Sequence, residues 1–283
     1  MKIAYLIMIH KNFRQFQWLI NALYNREDYF LIQIDKRSDH GFFRQVKEYL
    51  GSRPNVNYLA PRRMTRFGWS MVETQLRAIS ELVPARHEWN YLINVSGQDY
   101  PIKSTVAIKA ALAAAWPQNF VDVVPFEKIA VFDPYDPHLP RRLAFEAFGS
   151  VIETPIPLPF PKTLDIKYKG SAWVMLTRHF CEHILSSPFT HKMKKLMRYT
   201  WNPDELFFQA VAMNSEYGES LTEHYGREIV WLDGSASPKT LGMEDYDLLG
   251  ASSALFARKF DETVDQQILL SLAHDHGHQV PAR

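Results

Sequence analysis

The chain has 283 residues, 46% hydrophobic and 22% charged, with 32 Lys+Arg against 31 Asp+Glu. That size supports one large core or two modest ones, and the composition excludes disorder and fibre. A formal charge of +1 argues against a nucleic-acid binder working by phosphate neutralisation, and the single cysteine, Cys181, requires no oxidising compartment.

Ile3–Ile9 is a continuous apolar run, the pattern of a strand buried on both faces. It falls short of the ~18 residues of a membrane span and is followed by no cleavage site, so the expected location is cytoplasmic. Asn12 reads as the N-cap of a helix carrying Phe13, Phe16, Leu19, Ile20 and Leu23 at helical spacing. Tyr29–Ile34 is a second strand, ending at Asp35. Phe42–Leu50 is a helix closed by Gly51 and Pro54. Asn55–Leu59 reads as a strand, Met71–Val83 as a helix and Tyr91–Val95 as another strand. This alternation predicts a parallel, doubly wound α/β sheet, whose ligands sit outside the carboxyl ends of the strands. His10, Asp35, Lys36, Arg37 and residues 96–100 occupy those ends.

Seven of the 17 prolines fall between Asp133 and Lys162. The run Pro155–Pro161 reads as an extended, polyproline-like loop over one face. Lys169–Leu176 and Ile229–Leu232 read as strands, Ala254–Phe260 as a short extended segment, and Arg178–Leu185, Glu205–Met213 and Glu262–Ala273 as helices. No internal repeat is visible, and residues 1–283 are read as a single domain.

The common nucleotide signatures are missing. His10-Lys-Asn-Phe-Arg14 offers no glycine turn for a dinucleotide, and no Gly-Lys-Ser/Thr loop occurs. Asp35 is a candidate for accepting hydrogen bonds from a ribose or base, or a surface turn residue. Asp204 and Glu205 suit the positive end of a helix, with Pro203 in the first turn. Alternatively, one of them has a raised pKa beside Phe207 and Phe208 and serves as a general base. Arg258-Lys259 is a candidate diphosphate clamp or a solvated pair between Phe256 and Phe260. Asp245-Tyr-Asp247 has Asp-x-Asp spacing but sits far from the nucleotide-like half. His274, His276 and His278 read as a flexible tail, and Lys192, Lys194, Lys195 and Arg198 as a solvated helix face with peripheral membrane contact as the alternative.

Several segments together resemble glycosyltransferase family 14, the core-2/I-branching N-acetylglucosaminyltransferases and peptide O-xylosyltransferases. The resemblance is carried by Ile3–His10, Ile34–Ser38, Arg66-Phe-Gly-Trp-Ser70, Tyr91–Lys103, Gly170-Ser-Ala-Trp173, Arg198-Tyr-Thr200, Pro203–Phe208 and Leu255–Phe260. It implies a GT-A-like fold with a Rossmann-like mixed sheet, a UDP-binding half (1–125), an acceptor-binding and catalytic half (126–283), a UDP-sugar donor and an inverting mechanism. The base then falls on Glu205, the uridine-binding acid on Asp35 with Arg37 beside it, and the diphosphate cations on Arg258 and Lys259. His10 joins the donor site. Asp99, Trp173, Gly170 and Ser171 match positions around the sugar. The resemblance implies no metal cofactor, because basic residues replace the Asp-x-Asp site in core-2 members. Ala172 stands where many xylosyltransferases carry Asp, so the donor is xylose or N-acetylglucosamine. Lacking the anchor, stem and cysteine pairs of animal Golgi enzymes, the chain looks like a bacterial member, whose acceptor is a surface polysaccharide, lipid-linked oligosaccharide or other glycan. A non-catalytic sugar- or nucleotide-binding module on the same fold is the alternative.

Overall fold

A computed structural model describes residues 1–85, 87–128, 142–158, 166–235 and 237–282. Strands β1 (Ile3–Ile9), β2 (Tyr29–Ile34), β3 (Val56–Tyr58) and β4 (Tyr91–Ser96) are mutually parallel, and β10 (Met175–Thr177) runs antiparallel beside β4. Together they form a five-stranded central sheet in the order β10-β4-β1-β2-β3. The mixed α/β architecture expected from the sequence is therefore present.

The apolar run of β1 is explained by alternation. Ile3, Tyr5, Ile7 and Ile9 enter one core with α1 (Phe13–Leu23), α2 (His40–Leu50) and α4 (Thr105–Ala115), while Ala4, Leu6 and Met8 enter another with α3 (Trp69–Leu82) and the Arg178–Ser186 helix. Helices thus cover both faces, and no position of β1 is left for a polar residue. Asn12 caps α1 as expected, accepting from the Gln15 amide, in a left-handed conformation that Asn tolerates. Helix α4, capped by Ser104, was not expected: its alanine-rich sequence buries only Ile108 and Leu112 and has little hydrophobic periodicity.

A second sheet adjoins the first and joins β5 (Asp99–Pro101), β11 (Arg227–Ile229) and β12 (Phe256–Arg258). Strand β12 lies in the middle, parallel to β11 and antiparallel to β5. Its core contains Tyr100, Ile102, Phe260 and the buried face of the Gln266–His276 helix. The three histidines do not form a tail. His274 and His276 belong to that helix, capped by Asp265 rather than begun at Glu262, and His278 is buried with its ring 5.5 Å from Tyr100. Burial holds the His278 imidazole down at about 4.

Three other expectations change. Pro155 and Pro157 lie in strand β8 (Ser150–Pro157), which pairs with β7 (Arg142–Ala147) in a hairpin. A two-stranded ribbon tolerates prolines whose missing N–H would face outward; residues 159–165 lie outside the described residues. Lys169–Leu176 is not one strand. Tyr168–Lys169 forms β9 against β6 (Val124–Pro125), and the chain rejoins the sheet only at β10. The Asn94 side chain captures the backbone between them, donating to the Ala172 carbonyl at 2.8 Å and accepting from the Val174 amide at 2.7 Å. Finally, Pro203–Glu205 is a 3-10 turn, and the helix proper is Phe207–Met213. Asp204 and Glu205 therefore do not occupy an α-helix start. The Lys192, Lys195 and Arg198 side chains are exposed on the Pro188–Met197 helix and its end, opposite the buried Met193 and Met197, as a solvated face requires.

Candidate active site

At the carboxyl end of β2, Asp35 is buried but fully engaged. Its Oδ1 accepts from the Arg37 amide (2.8 Å) and Nε (3.1 Å), and its Oδ2 from Arg37 Nη2 (2.9 Å) and the Met64 amide (3.0 Å). Burial works to raise this carboxyl, yet the Arg37 and Met64 hydrogen bonds hold it below its ordinary value. Four donors fill the four acceptor positions of a carboxylate. A ribose would have to displace Arg37, whose side chain is 47% exposed. His10, at the end of β1, is exposed, and its carbonyl accepts from Ser38 Oγ at 2.8 Å. Partial desolvation by the surrounding chain and then Lys11 lower its imidazole, with Arg37 and Lys259 adding to the effect and Asp35 opposing it.

Lys259 belongs to the same basic cluster. Burial first, then Arg258, Arg66 and Lys11, lower its ammonium. Neither Lys11 nor Arg66 is distinguished by the sequence as a member of this cluster. Arg66 stands within a family motif, and Lys11 follows a strand-end residue; neither carries a spacing that betrays charge clustering.

Arg258 is held from two sides. Its guanidinium lies 4.1 Å from the centre of the Trp173 ring, and its Nε is 3.8 Å from Asp99 Oδ1. Burial lowers the guanidinium and Asp99 opposes the change. Asp99 is fully buried, placed by the β5–β12 register directly across from Arg258, and its Oδ2 accepts from the Ser96 amide (2.7 Å) and hydroxyl. Asp99 and Trp173 thus both meet Arg258, so residues expected around the sugar and the diphosphate stand together.

Glu205 reaches this group through the backbone. Its carbonyl accepts from the Gly170 amide at 2.9 Å, and its partly exposed carboxylate lies 3.7 Å from Lys169 Nζ. Gly170 has a packing reason of its own, because a Cβ there would lie 1.9 Å from the Asp122 carbonyl oxygen. The Ser171 amide donates to Asp122 Oδ2 at 3.0 Å and the Trp173 amide to Ser171 Oγ at 3.2 Å. Gly170–Trp173 therefore links Glu205 at one end with Arg258 at the other. Beside Glu205, the Asp204 carboxyl is raised. Burial, then the neighbouring Glu205, pushes it up to about 7, and its Oδ1 has no hydrogen-bond partner among the described residues. Its neighbour Glu146 comes from the β7–β8 hairpin, whose carboxylate also binds the Ser70 amide at the start of α3.

Asp245 is occupied elsewhere, accepting from Lys239 Nζ at 2.7 and 2.8 Å and from the Gly242 amide. The Asp-x-Asp spacing is thus met by a structural ion pair. No described helix is long and apolar enough to cross a membrane.

Proteins of known activity resemble this chain along most of its length. Xylosyltransferase 2 of Rattus norvegicus is 29% identical over 95% of this chain and 33% of its own length. The human beta-1,3-galactosyl-O-glycosyl-glycoprotein beta-1,6-N-acetylglucosaminyltransferase 3 is 25% identical over 72% of this chain and 45% of its own length. The chain spans about a third of the length of the xylosyltransferases it matches. Among solved structures, mouse xyloside xylosyltransferase 1 in its apo form aligns over 91% of this chain and 97% of its own at a TM-score of 0.42 and 10% identity. The model of the Core-2/I-Branching enzyme family matches residues 3–249, from the first strand past the Glu205 turn. The chain belongs to the Core-2/I-branching enzyme family.

Proposed function

We propose that the chain is a UDP-sugar-dependent inverting glycosyltransferase that moves xylose or N-acetylglucosamine to a hydroxyl of a glycan acceptor. The observation that carries this reading is the Gly170–Trp173 segment, which holds Glu205 by its first amide and Arg258 by its last ring. A proton acceptor and a fixed cation at opposite ends of one short segment are what an in-line displacement of a diphosphate needs. The activities named for the rat and human relatives supply the two candidate sugars.

In this mechanism Glu205 accepts the proton of the acceptor hydroxyl as its oxygen forms a bond to the anomeric carbon. The bond from that carbon to the phosphate oxygen breaks, and its electron pair leaves on UDP. A single displacement inverts the configuration without a covalent enzyme intermediate. Arg258 and Lys259 neutralise the departing charge, a task that cations perform when desolvated, so the reaction proceeds without a metal. Asp35 receives the uridine once Arg37 turns outward, His10 borders the diphosphate, and Asp99, Trp173, Gly170 and Ser171 bound the sugar. The acceptor is a bacterial surface polysaccharide or a lipid-linked oligosaccharide met at the cytoplasmic face of the membrane, with the exposed Lys192, Lys195 and Arg198 supplying peripheral contact.

Incubation with UDP-xylose and with UDP-N-acetylglucosamine separately, with UDP release measured, tests the reading. Release from one donor, stimulated by a glycan acceptor, is expected. Binding of these donors with no release or transfer would favour a non-catalytic module.

A further inference from the structure

One buried charge has no part in that mechanism. In the β11-β12-β5 sheet, Arg227 stands opposite Phe256 and Arg258 opposite Asp99. Residues two apart on a strand share a face, so Arg227, Phe256, Arg258 and Asp99 project from the same side. The Arg227 guanidinium lies 4.4 Å over the Phe256 ring, and its Nη2 donates to the Asn94 carbonyl. Arg227 is only 6% exposed, and its Nε and Nη1 are buried without a hydrogen-bond partner among the described residues, as are Arg258 Nε and Asp99 Oδ1. Burial lowers the Arg227 guanidinium to about 10, with Asp99 opposing, so it remains charged at neutral pH.

A buried cation, a largely buried one and a buried carboxylate therefore share one face of this sheet, with Arg258 on the middle strand and Arg227 and Asp99 on the strands to either side. A lone Arg–carboxylate pair at this depth is neutral and leaves little field for an incoming anion. The second arginine gives the group one positive charge in excess, and of the two it is Arg258 that extends to Trp173.

We propose that Arg227 is a positioning residue for the donor: as a second cation on the face that carries the Arg258–Asp99 pair, it gives that face a positive charge in excess and leaves Arg258 with charge and donors to spare for the diphosphate. The inference rests on the reading of Arg258 as a diphosphate ligand.

Calorimetric titration with uridine and with UDP, on wild type, Arg227→Gln and Arg227→Lys, tests it. Arg227→Gln is expected to bind uridine within about twofold of wild type and UDP at least ~10-fold more weakly, with Arg227→Lys recovering most of the loss. A merely structural role would weaken both ligands together, and that result overturns the inference, as does unchanged UDP affinity. If Arg227→Gln does not fold, Arg227→Met, which replaces the charge with an apolar chain, takes its place under the same criteria. Wild type that binds UDP no better than uridine would overturn the diphosphate reading itself, an outcome visible before any variant is measured.

Discussion

Two buried carboxylates stand at the carboxyl edge of the sheets, and the chain satisfies them in opposite ways. Asp35 receives four hydrogen bonds, three of them from Arg37 two residues on. Asp99 receives two from Ser96, keeps Oδ1 bare of hydrogen bonds, and faces Arg258, brought from a strand far along the chain. The first is closed on itself and opens to a ligand only if an exposed arginine lets go. The second keeps an oxygen without a hydrogen bond beside a cation that is held on an aromatic ring. In the proposed reading the nucleoside edge is thus a latch, and the diphosphate wall a standing field.

The largest expected effect lies outside both edges. Glu205→Gln keeps the side chain's size but cannot accept a proton. Transfer should fall at least ~100-fold, within the ~10²–10⁴-fold typical of a general base, while UDP affinity stays within about threefold. Near wild-type turnover in a folded variant would pass the role to Asp204 or Asp99. Next comes the latch. Asp35→Asn should weaken uridine binding by roughly 10-fold, because a buried carboxylate acceptor is lost. Arg37→Ala, which opens the latch, should change it less than about threefold. Equal losses for the two variants would mean that the ion pair, not the carboxylate, makes the site.

A third buried acid sharpens the contrast. Asp204 has a bare Oδ1 like Asp99, but its strongest charged neighbour is another carboxylate, Glu205. Its folded value of about 7 lies above the ordinary 3.8. A raised value means that the folded state holds the proton more tightly than the unfolded one. The stabilisation is therefore complete below about pH 4 and is lost as pH rises towards 7, by up to ~4 kcal/mol for full burial. Asp204→Asn, which is neutral throughout, should flatten the fall in unfolding free energy between about pH 4 and 7. An unchanged slope in denaturant titrations across that range would contradict the assignment. The smallest expected effect is that of excess EDTA, which should leave most transfer intact if Arg258 and Lys259 screen the diphosphate. Near-complete loss restored by manganese would show that an acid had been underrated.

How much of this is legible depends on distance along the chain. The strands β1, β2 and β4 and the cap at Asn12 follow from local pattern, and so does Asp35 at a strand end. Family motifs point to Glu205, Arg258 and Lys259. The motifs do not reveal that Trp173 carries Arg258 on its ring, or that Gly170 is a glycine because Asp122 crosses it. Those facts depend on which strands become neighbours. Arg227 is invisible for the same reason: in sequence it is one arginine in Gly-Arg-Glu, and only the β11–β12 and β12–β5 registers set it on the face that carries Arg258 and Asp99. The Gln266–His276 helix misleads in the other direction, because a polar, histidine-rich ending conceals the burial of His278 under Tyr100.

The central claim is that UDP lies across this edge, its uridine at the Asp35 latch and its diphosphate at the Arg258 wall. A crystal structure of the protein with UDP tests it most directly. The account predicts phosphate oxygens within hydrogen-bonding distance of Arg258 and Lys259, the nucleoside beside Asp35, and Arg37 swung away from its present ion pair. UDP bound elsewhere, or bound here with its diphosphate in solvent and Arg258 still paired only with Asp99, would contradict it.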